Sequence, residues 1–238
     1  MSDFLDFEPH ICIQGEDSSS GTLFFFPQEN GGGESYLGTI VPELGTQSDL
    51  ILFNNYYLHL NEFKPDMVGE ISLEFLAKLQ LGLVKIIQPT GPYNFFGWSA
   101  GGIVAFEVCR QLLLQGDTVS SLIIVDSCFA LGETLQELGL SPSPADKIFG
   151  EFNPDPIPSN LLGQTNVVLM KGENGLPNDL IATHYAQNIK YNKLDQFIPS
   201  EYICVHPIVD HINWIKSKEN LSRLGKIISA TINHSQTY

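Results

Sequence analysis

Residues 93–102 read YNFFGWSAGG, a short apolar run that ends in a glycine-rich turn. The run predicts a buried strand over Tyr93–Trp98, and the apolar spacing over residues 103–115, closed by Gly116, predicts a helix directly after the turn. Residues 97–101 thus match G-x-S-x-G between a strand and a helix, the context of a nucleophile elbow. The glycines leave room for the neighbouring backbones and the serine side chain stands exposed, so the pattern predicts Ser99 as a nucleophile.

Apolar strands and helical patterns alternate on both sides of this turn. Near-unbroken hydrophobic strands are typical of parallel strands covered on both faces, so the alternation predicts an α/β fold with a mostly parallel central sheet flanked by helices. The predicted strands cover residues 22–26, 50–53, 121–125, 165–170 and 202–205, and the other predicted helices cover residues 71–88, 179–190 and 219–231.

Two segments interrupt the alternation. Residues 1–20 mix acids, serines and scattered apolar residues without a period, which indicates a tail or interdomain linker before a domain over residues 21–238. Residues 129–164 contain five prolines and only one short helical pattern, near residues 131–140. This second segment is interpreted as an insertion over the strand ends.

The charge and the cysteines exclude several functions. Twelve Lys and Arg against 27 Asp and Glu give a formal net charge of −15, which disfavours nucleic-acid and membrane-surface partners. No signal peptide or membrane-spanning run is found, so the chain is expected to be soluble, unsecreted and cytoplasmic. The four cysteines form no CxxC pair and no histidine stands at metal-ligand spacing, which predicts a reducing compartment and no metal site.

A serine nucleophile needs a base and a carboxylate that orients the base. Two histidines, His206 and His211, follow the last predicted strand, where the order nucleophile, acid, histidine of α/β-hydrolases places the base. His211 is favoured because it lies in a loop that leads toward the final helix. The remaining histidines are interpreted as ordinary surface or core residues: His10, His59, His184 and His234.

Two positions compete for the acid. Asp126 closes the apolar strand that follows the elbow helix, whereas Glu173 or Asp179 could act from the loop after the next strand. A lone carboxylate at the end of an apolar strand needs a partner, and an imidazolium across the strand ends would supply one. This argument favours Asp126.

The oxyanion formed on attack needs two backbone N–H donors. The residue after the nucleophile, Ala100, supplies the first, and the turn after the strand at residues 22–26 supplies the second. In that turn either Gln28 or Glu29 is suitable, and the sequence does not decide between them.

Four short segments together resemble one known family. The residues FFFP at 24–27, GWSAGG at 97–102, VDS at 125–127 and DH at 210–211 are similar to the α/β-hydrolase thioesterase domains that terminate nonribosomal peptide synthetases and polyketide synthases. The resemblance covers about residues 22–232. It implies that Ser99 is the nucleophile, Asp126 the orienting acid and His211 the base, with oxyanion donors at Ala100 and in the turn after Pro27.

The resemblance also implies a substrate and a partner. The acyl or peptidyl chain would arrive as a thioester on the phosphopantetheine arm of a carrier protein, in cis, and leave by hydrolysis or cyclisation. The domain would need no cofactor of its own, and residues 129–164 would form its lid. Asp210 departs from the family, which commonly has glycine before the histidine. Alternatives are a stand-alone type II editing thioesterase, a general serine esterase and a non-catalytic binding module.

Overall fold

The computed structural model describes residues 7–16, 21–44, 48–63 and 71–234. In this part of the chain, seven strands form one sheet in the order β1-β3-β2-β4-β5-β6-β7, and every neighbouring pair is parallel except β1 with β3. The strands are β1 (His10–Ile13), β2 (Thr22–Phe26), β3 (Asp49–Phe53), β4 (Tyr93–Trp98), β5 (Val119–Val125), β6 (Asn166–Asn174) and β7 (Ile203–Asp210).

Helices cover both faces of the sheet. Buried residues of α3, α4 and the segment after β5 share one apolar cluster, and those of α1 and α8 share a second one. The predicted α/β fold with a mostly parallel sheet is confirmed. The helices are α1 (Glu34–Leu37), α2 (Tyr56–Phe63), α3 (Leu73–Ile87), α4 (Ala100–Leu114), α5 (Leu131–Glu137), α6 (Pro144–Gly150), α7 (Leu180–Asn188) and α8 (Lys218–His234).

The period-two geometry of β2 explains how one strand joins both clusters. Phe24 and Phe26 belong to the cluster under α3 and α4, whereas Leu23 and Phe25 belong to the cluster under α1 and α8. Each of the four side chains is fully buried. Burying an apolar side chain of this size contributes about 2 kcal/mol to folding, so both faces of β2 hold the strand in register.

The first strand differs from the sequence-based expectation. Residues 10–13 were expected to belong to a tail or linker, but they form β1, which pairs antiparallel with β3 through Ile11 and Leu52. Only four residues long and at the edge of the sheet, β1 takes its conformation from a distant partner strand, and its local pattern is weak. Residues 1–6 and 17–20 of the expected tail lie outside the described residues.

The insertion over residues 129–164 contains two helices, α5 and α6, where the sequence predicted one. Helix α6 follows a capping box in which the Ser143 hydroxyl accepts from the Asp146 amide and the Asp146 carboxylate accepts from the Ser143 amide. The two helices meet at Gly132, where an added Cβ would lie 2.3 Å from the carbonyl oxygen of Gly150. The insertion therefore packs as part of the fold.

Among the described residues, none of the helices combines the length and the apolar character that a membrane crossing requires.

Candidate active site

The turn at Ser99 has the geometry of a nucleophile elbow. Ser99 lies between β4 and α4 with φ 55° and ψ −126°, a left-handed conformation that strains a residue with a side chain. A Cβ added to Gly97 would lie 2.3 Å from the carbonyl oxygen of Gly101, and one added to Gly101 would lie 2.3 Å from that of Phe26. Only glycine fits at either position, which is the physical reason for the G-x-S-x-G spacing.

Asp126 follows β5 directly and is buried. Its Oδ1 accepts hydrogen bonds from the Gly172 amide at 2.9 Å and from Asn192 Nδ2 at 2.9 Å. A Cβ on Gly172 would lie 2.7 Å from Asp126 Oδ2, so this carboxylate also depends on a glycine of β6. These contacts leave Oδ2 directed toward the end of β7.

His211 follows β7, and its Nδ1 lies 3.2 Å from Asp126 Oδ2. Because the carboxylate only accepts, Nδ1 carries the proton in this pair and Nε2 keeps a lone pair. The indole nitrogen of Trp98 donates to the carbonyl oxygen of His211 at 3.2 Å. The tryptophan before the nucleophile therefore holds the histidine loop against the elbow.

Asp210 orders the same loop from the other side. Its Oδ1 accepts from the amides of Ile212 at 2.9 Å and Asn213 at 2.6 Å, and its Oδ2 accepts from Asn213 Nδ2 at 2.9 Å. These hydrogen bonds lower the pKa of Asp210 even though burial acts to raise it. Asp210 is thus a buried acceptor that shapes the turn after His211.

The charges of Asp126 and His211 stabilise each other. Burial acts to raise the pKa of Asp126, but the hydrogen bond and the charge of His211, with the donors Gly172 and Asn192, lower it below its usual value. Burial acts to lower the pKa of His211, yet the hydrogen bond and charge of Asp126 raise it above the ordinary 6.5. The pair is therefore poised to accept a proton at Nε2.

This raised pKa predicts the pH dependence of turnover. A base must be neutral, so kcat/KM should fall about tenfold per pH unit below the pKa of His211, which lies above 6.5 in the free protein. A profile of kcat/KM against pH from 5 to 9 measures it. An acid limb with a midpoint below the ordinary imidazole value would contradict the role of Asp126 in stabilising the imidazolium.

The competing candidates make other contacts. Glu173 is exposed, and Asp179 caps α7 by accepting from the Ala182 amide at 2.8 Å. His206 lies on β7 with its Nε2 3.4 Å from the Cys204 sulfur. Among the candidates weighed, Asp126 and His211 are the acid and histidine that the fold brings together.

Ser99 and His211 line one cavity of about 190 Å³. The cavity wall includes Leu131 from α5 and Phe149 from α6, so the insertion forms part of the wall around Ser99. Cys128 also reaches this wall, but burial, with the nearby charge of Asp126, raises the pKa of its thiol well above the usual value. Cys128 therefore stays protonated and is a poor nucleophile.

The turn after β2 is held by Asn55, which precedes α2. Asn55 Nδ2 donates to the carbonyl oxygens of Gln28 at 3.1 Å and Glu29 at 2.8 Å, while its Oδ1 accepts from the Tyr57 amide at 3.0 Å. The Gln28 amide faces the buried Tyr36 hydroxyl, whereas Glu29 lines the cavity beside Ser99 and Ala100. Of the two residues that the sequence left open, Glu29 is the one at the cavity.

Sequence reasoning missed Asn55 and Asn192, the two side-chain amides that hold the site. Each lies far along the chain from the residue it contacts, and neither belongs to a motif. Among the described residues, no three His, Cys, Asp or Glu side chains cluster in a way that could hold a metal ion.

A glycine-flanked serine after β4, an aspartate after β5 and a histidine after β7, on a mostly parallel sheet covered by helices, define the α/β-hydrolase class. Within that class, the chain belongs to the thioesterase domain family, whose family model, "Thioesterase domain", matches residues 21–139.

Similar curated proteins are large synthases. The chain is 32% identical over 216 residues to N-(5-amino-5-carboxypentanoyl)-L-cysteinyl-D-valine synthase of Penicillium rubens. The matched region covers 85% of this chain and 6% of that protein. It is 31% identical over 196 residues to the bikaverin polyketide synthase of Gibberella fujikuroi, covering 80% of this chain and 8% of the relative. The chain thus spans a small fraction of the length of these relatives.

Solved structures share the fold. The NocB thioesterase domain in covalent complex with a fluorophosphonate nocardicin G analogue superposes with a TM-score of 0.65 at 22% identity, covering 94% of this chain and 100% of that one. The surfactin thioesterase domain SrfTE superposes with a TM-score of 0.59 at 17% identity, covering 95% of this chain and 96% of that one. The type II thioesterase BorB superposes with a TM-score of 0.62 at 12% identity, covering 93% of this chain and 96% of that one.

Proposed function

We propose that this domain takes an acyl or peptidyl chain from the phosphopantetheine thioester of a carrier protein onto Ser99 and releases it by hydrolysis or cyclisation. The observation that carries the proposal is the 3.2 Å contact between His211 Nδ1 and Asp126 Oδ2, in a site where His211 and Ser99 line the same cavity. The similarity to short segments of large synthases supports a role as the terminal domain of a nonribosomal peptide or polyketide synthase, with a carrier partner in cis.

The first half of the reaction forms an acyl-enzyme. Ser99 Oγ attacks the thioester carbonyl carbon while His211 Nε2 takes the hydroxyl proton, and Asp126 stabilises the imidazolium. The amides of Ala100 and Glu29 donate to the oxyanion. When the intermediate collapses the C–S bond breaks, and the proton on Nε2 passes to the leaving sulfur of phosphopantetheine.

The second half frees the acyl chain. Water, or a hydroxyl or amine of the chain itself, attacks the Ser99 ester and gives its proton to His211 Nε2, which returns it to Ser99 Oγ. The insertion that forms part of the cavity wall limits access of bulk water to this ester. Phosphopantetheine enters as part of the substrate, so the domain contributes only its own side chains and amides.

A comparison of thioester and oxyester tests the proposal. The 238-residue chain is incubated with a short acyl-phosphopantetheine thioester and with an oxyester of the same acyl group, while release of the free acid from each substrate, thiol release from the thioester and intact mass are followed. We expect thioester turnover and an acyl adduct that peptide mapping places on Ser99. Faster turnover of the oxyester would favour the general esterase, and neither release nor adduct would favour the binding module.

The charge of the cavity predicts which acyl chains react poorly. Three acidic residues line the cavity, Glu29, Asp146 and Asp179, and burial together with the charge of Asp146 raises the pKa of Glu29. An acyl chain ending in a carboxylate should therefore react more slowly than one of equal length ending in an ammonium. We expect Glu29→Gln, which keeps the backbone donor, to reduce this preference roughly threefold to tenfold.

Paired kcat/KM measurements on the two acyl chains check this prediction. Glu219→Gln is the matched control, because Glu219 is an exposed residue of α8 and the same substitution changes the net charge equally. If the Glu29 and Glu219 variants change the ratio by the same factor, the charge of the cavity wall does not determine the preference.

A further inference from the structure

We propose that Asn192 is a positioning residue that holds the Asp126 carboxylate in the orientation in which Oδ2 faces His211. The inference rests on the proposed function, because it assigns Asn192 a role in the acyl transfer at Ser99. Asn192 lies in the segment between α7 and β7, 66 residues from Asp126 in sequence.

The contact is buried and made to a single carboxylate oxygen. Asn192 is fully buried, and its Nδ2 donates to Asp126 Oδ1 at 2.9 Å. The Gly172 amide donates to the same oxygen, also at 2.9 Å, while His211 Nδ1 contacts Oδ2 at 3.2 Å. Two donors on Oδ1 oppose rotation of the carboxylate and reserve Oδ2 for the imidazole.

The residue type fits this role better than it fits simple packing. A carboxylate can only accept, so the amide must turn its Nδ2 toward Asp126, and its Oδ1 then has no hydrogen-bond partner among the described residues. A buried unpaired acceptor destabilises the fold, and an apolar residue of the same shape would avoid it. An apolar residue, however, could not donate a hydrogen bond to Asp126, and this donor accounts for an asparagine at the position.

The backbone of Asn192 is held in place as well. Its φ is 52°, a left-handed conformation that asparagine tolerates better than most residues. Its carbonyl oxygen accepts from the Phe129 amide at 3.1 Å, which joins this segment to the chain just beyond Asp126. The acid and the amide that orients it are therefore linked through the backbone and through the side chains.

Two substitutions separate loss of the donor from loss of the fold. Asn192→Gly removes the donor and suits the left-handed backbone, so we expect kcat to fall about tenfold or more while KM stays within about threefold. Asn192→Asp keeps the shape, and its carboxyl, buried beside Asp126, should stay protonated at pH values near 6 and donate in place of the amide.

The comparison at pH 6 decides the inference. The new carboxyl would lie beside Asp126, whose charged and titratable neighbours are His211, Lys171 and Cys128, and Asp179 acts in turn on His211 and Cys128. We expect Asn192→Asp to exceed Asn192→Gly in kcat by about fivefold or more at pH 6, since the ionic surroundings of Asp126 are otherwise unchanged. A merely structural role would give the same ratio of the two variants at every pH, whereas loss of the donor makes the ratio fall at higher pH, where the new carboxyl ionises.

Asn178→Asp is the matched control, because Asn178 is exposed and also has a left-handed φ, of 68°. It should leave kcat within about twofold of the wild type at every pH. Two outcomes with an active wild type overturn this inference alone. In the first, Asn192→Gly has the same kcat as the wild type. In the second, Asn192→Asp has no higher kcat than Asn192→Gly at pH 6. A folded wild type that neither releases thiol nor forms an adduct overturns the proposed function and the inference together.

Discussion

Ser99→Ala should lower the rate of thiol release from an acyl-phosphopantetheine thioester by about 10⁴-fold or more, because no other group in the cavity can take the role of the nucleophile. Among the described residues that line the cavity, only Ser99 carries a hydroxyl, and it lies at the elbow on the same cavity wall as His211. The Cys128 thiol on that wall stays protonated. Intact mass should show an acyl adduct on the wild type and none on the variant.

Ser120→Ala is the matched control for this prediction. Ser120 lies on β5 at the end of the strand away from Asp126, so its loss should leave thiol release within about twofold of the wild type. A thermal unfolding curve of Ser99→Ala checks that the variant folds. If the folded variant kept more than about a tenth of the wild-type rate, the thioester would be attacked by a group other than Ser99.

Gly101→Ala should lower the stability more than any other substitution proposed for this protein, and it should also lower the activity strongly. The new Cβ would lie 2.3 Å from the carbonyl oxygen of Phe26 and 2.6 Å from that of Pro27, and backbone atoms cannot move aside as a flexible side chain can. We expect a loss of about 3 kcal/mol in the free energy of unfolding. Because the displaced turn carries the Glu29 amide, kcat/KM should fall by about 100-fold.

Gly82→Ala is the matched control, since it makes the same substitution inside a helix where a Cβ meets nothing within 4 Å. There the better helix propensity of alanine should raise the free energy of unfolding by about 0.5–1 kcal/mol. Urea unfolding of the two variants measures both effects. If Gly101→Ala were as stable as the wild type, the helix would pack less closely on the turn after β2 than the structure shows.

Local sequence signals predicted the elements around the elbow well. Strand β4 begins and ends where the apolar run does, at Tyr93–Trp98, and β2 likewise covers Thr22–Phe26. Strands buried on both faces have near-continuous apolar sequences, and the helices between them have regular apolar spacing, so the pattern is readable from one chain. Asp126 stood out for a related reason, since a charge at the end of such a strand needs a partner.

The sequence did not predict strand β1 or helix α6, because their local signals are weak or are masked by neighbouring residues. Strand β1 depends on its pairing with β3, so the local pattern of its four residues, inside an acidic segment, does not predict a strand. Helix α6 begins at Ser143-Pro144, with Asp146 completing a capping box, a signal that the prolines of the insertion obscured. A proline within the first helical turn is favourable, because its missing N–H would have no partner there.

Local period, glycine positions and chain order can be read from one chain, so the sequence predicts the α/β architecture, the turn at Ser99 and a short set of candidates for acid and base. The fold is needed to show that Asp126 contacts His211, that Glu29 lines the cavity while Gln28 faces Tyr36, and that Asn55 and Asn192 hold the two sides of the site. Those contacts join residues distant in sequence through single hydrogen bonds. Such bonds leave no periodic pattern, and they exist only when the strand ends meet at one edge of the sheet.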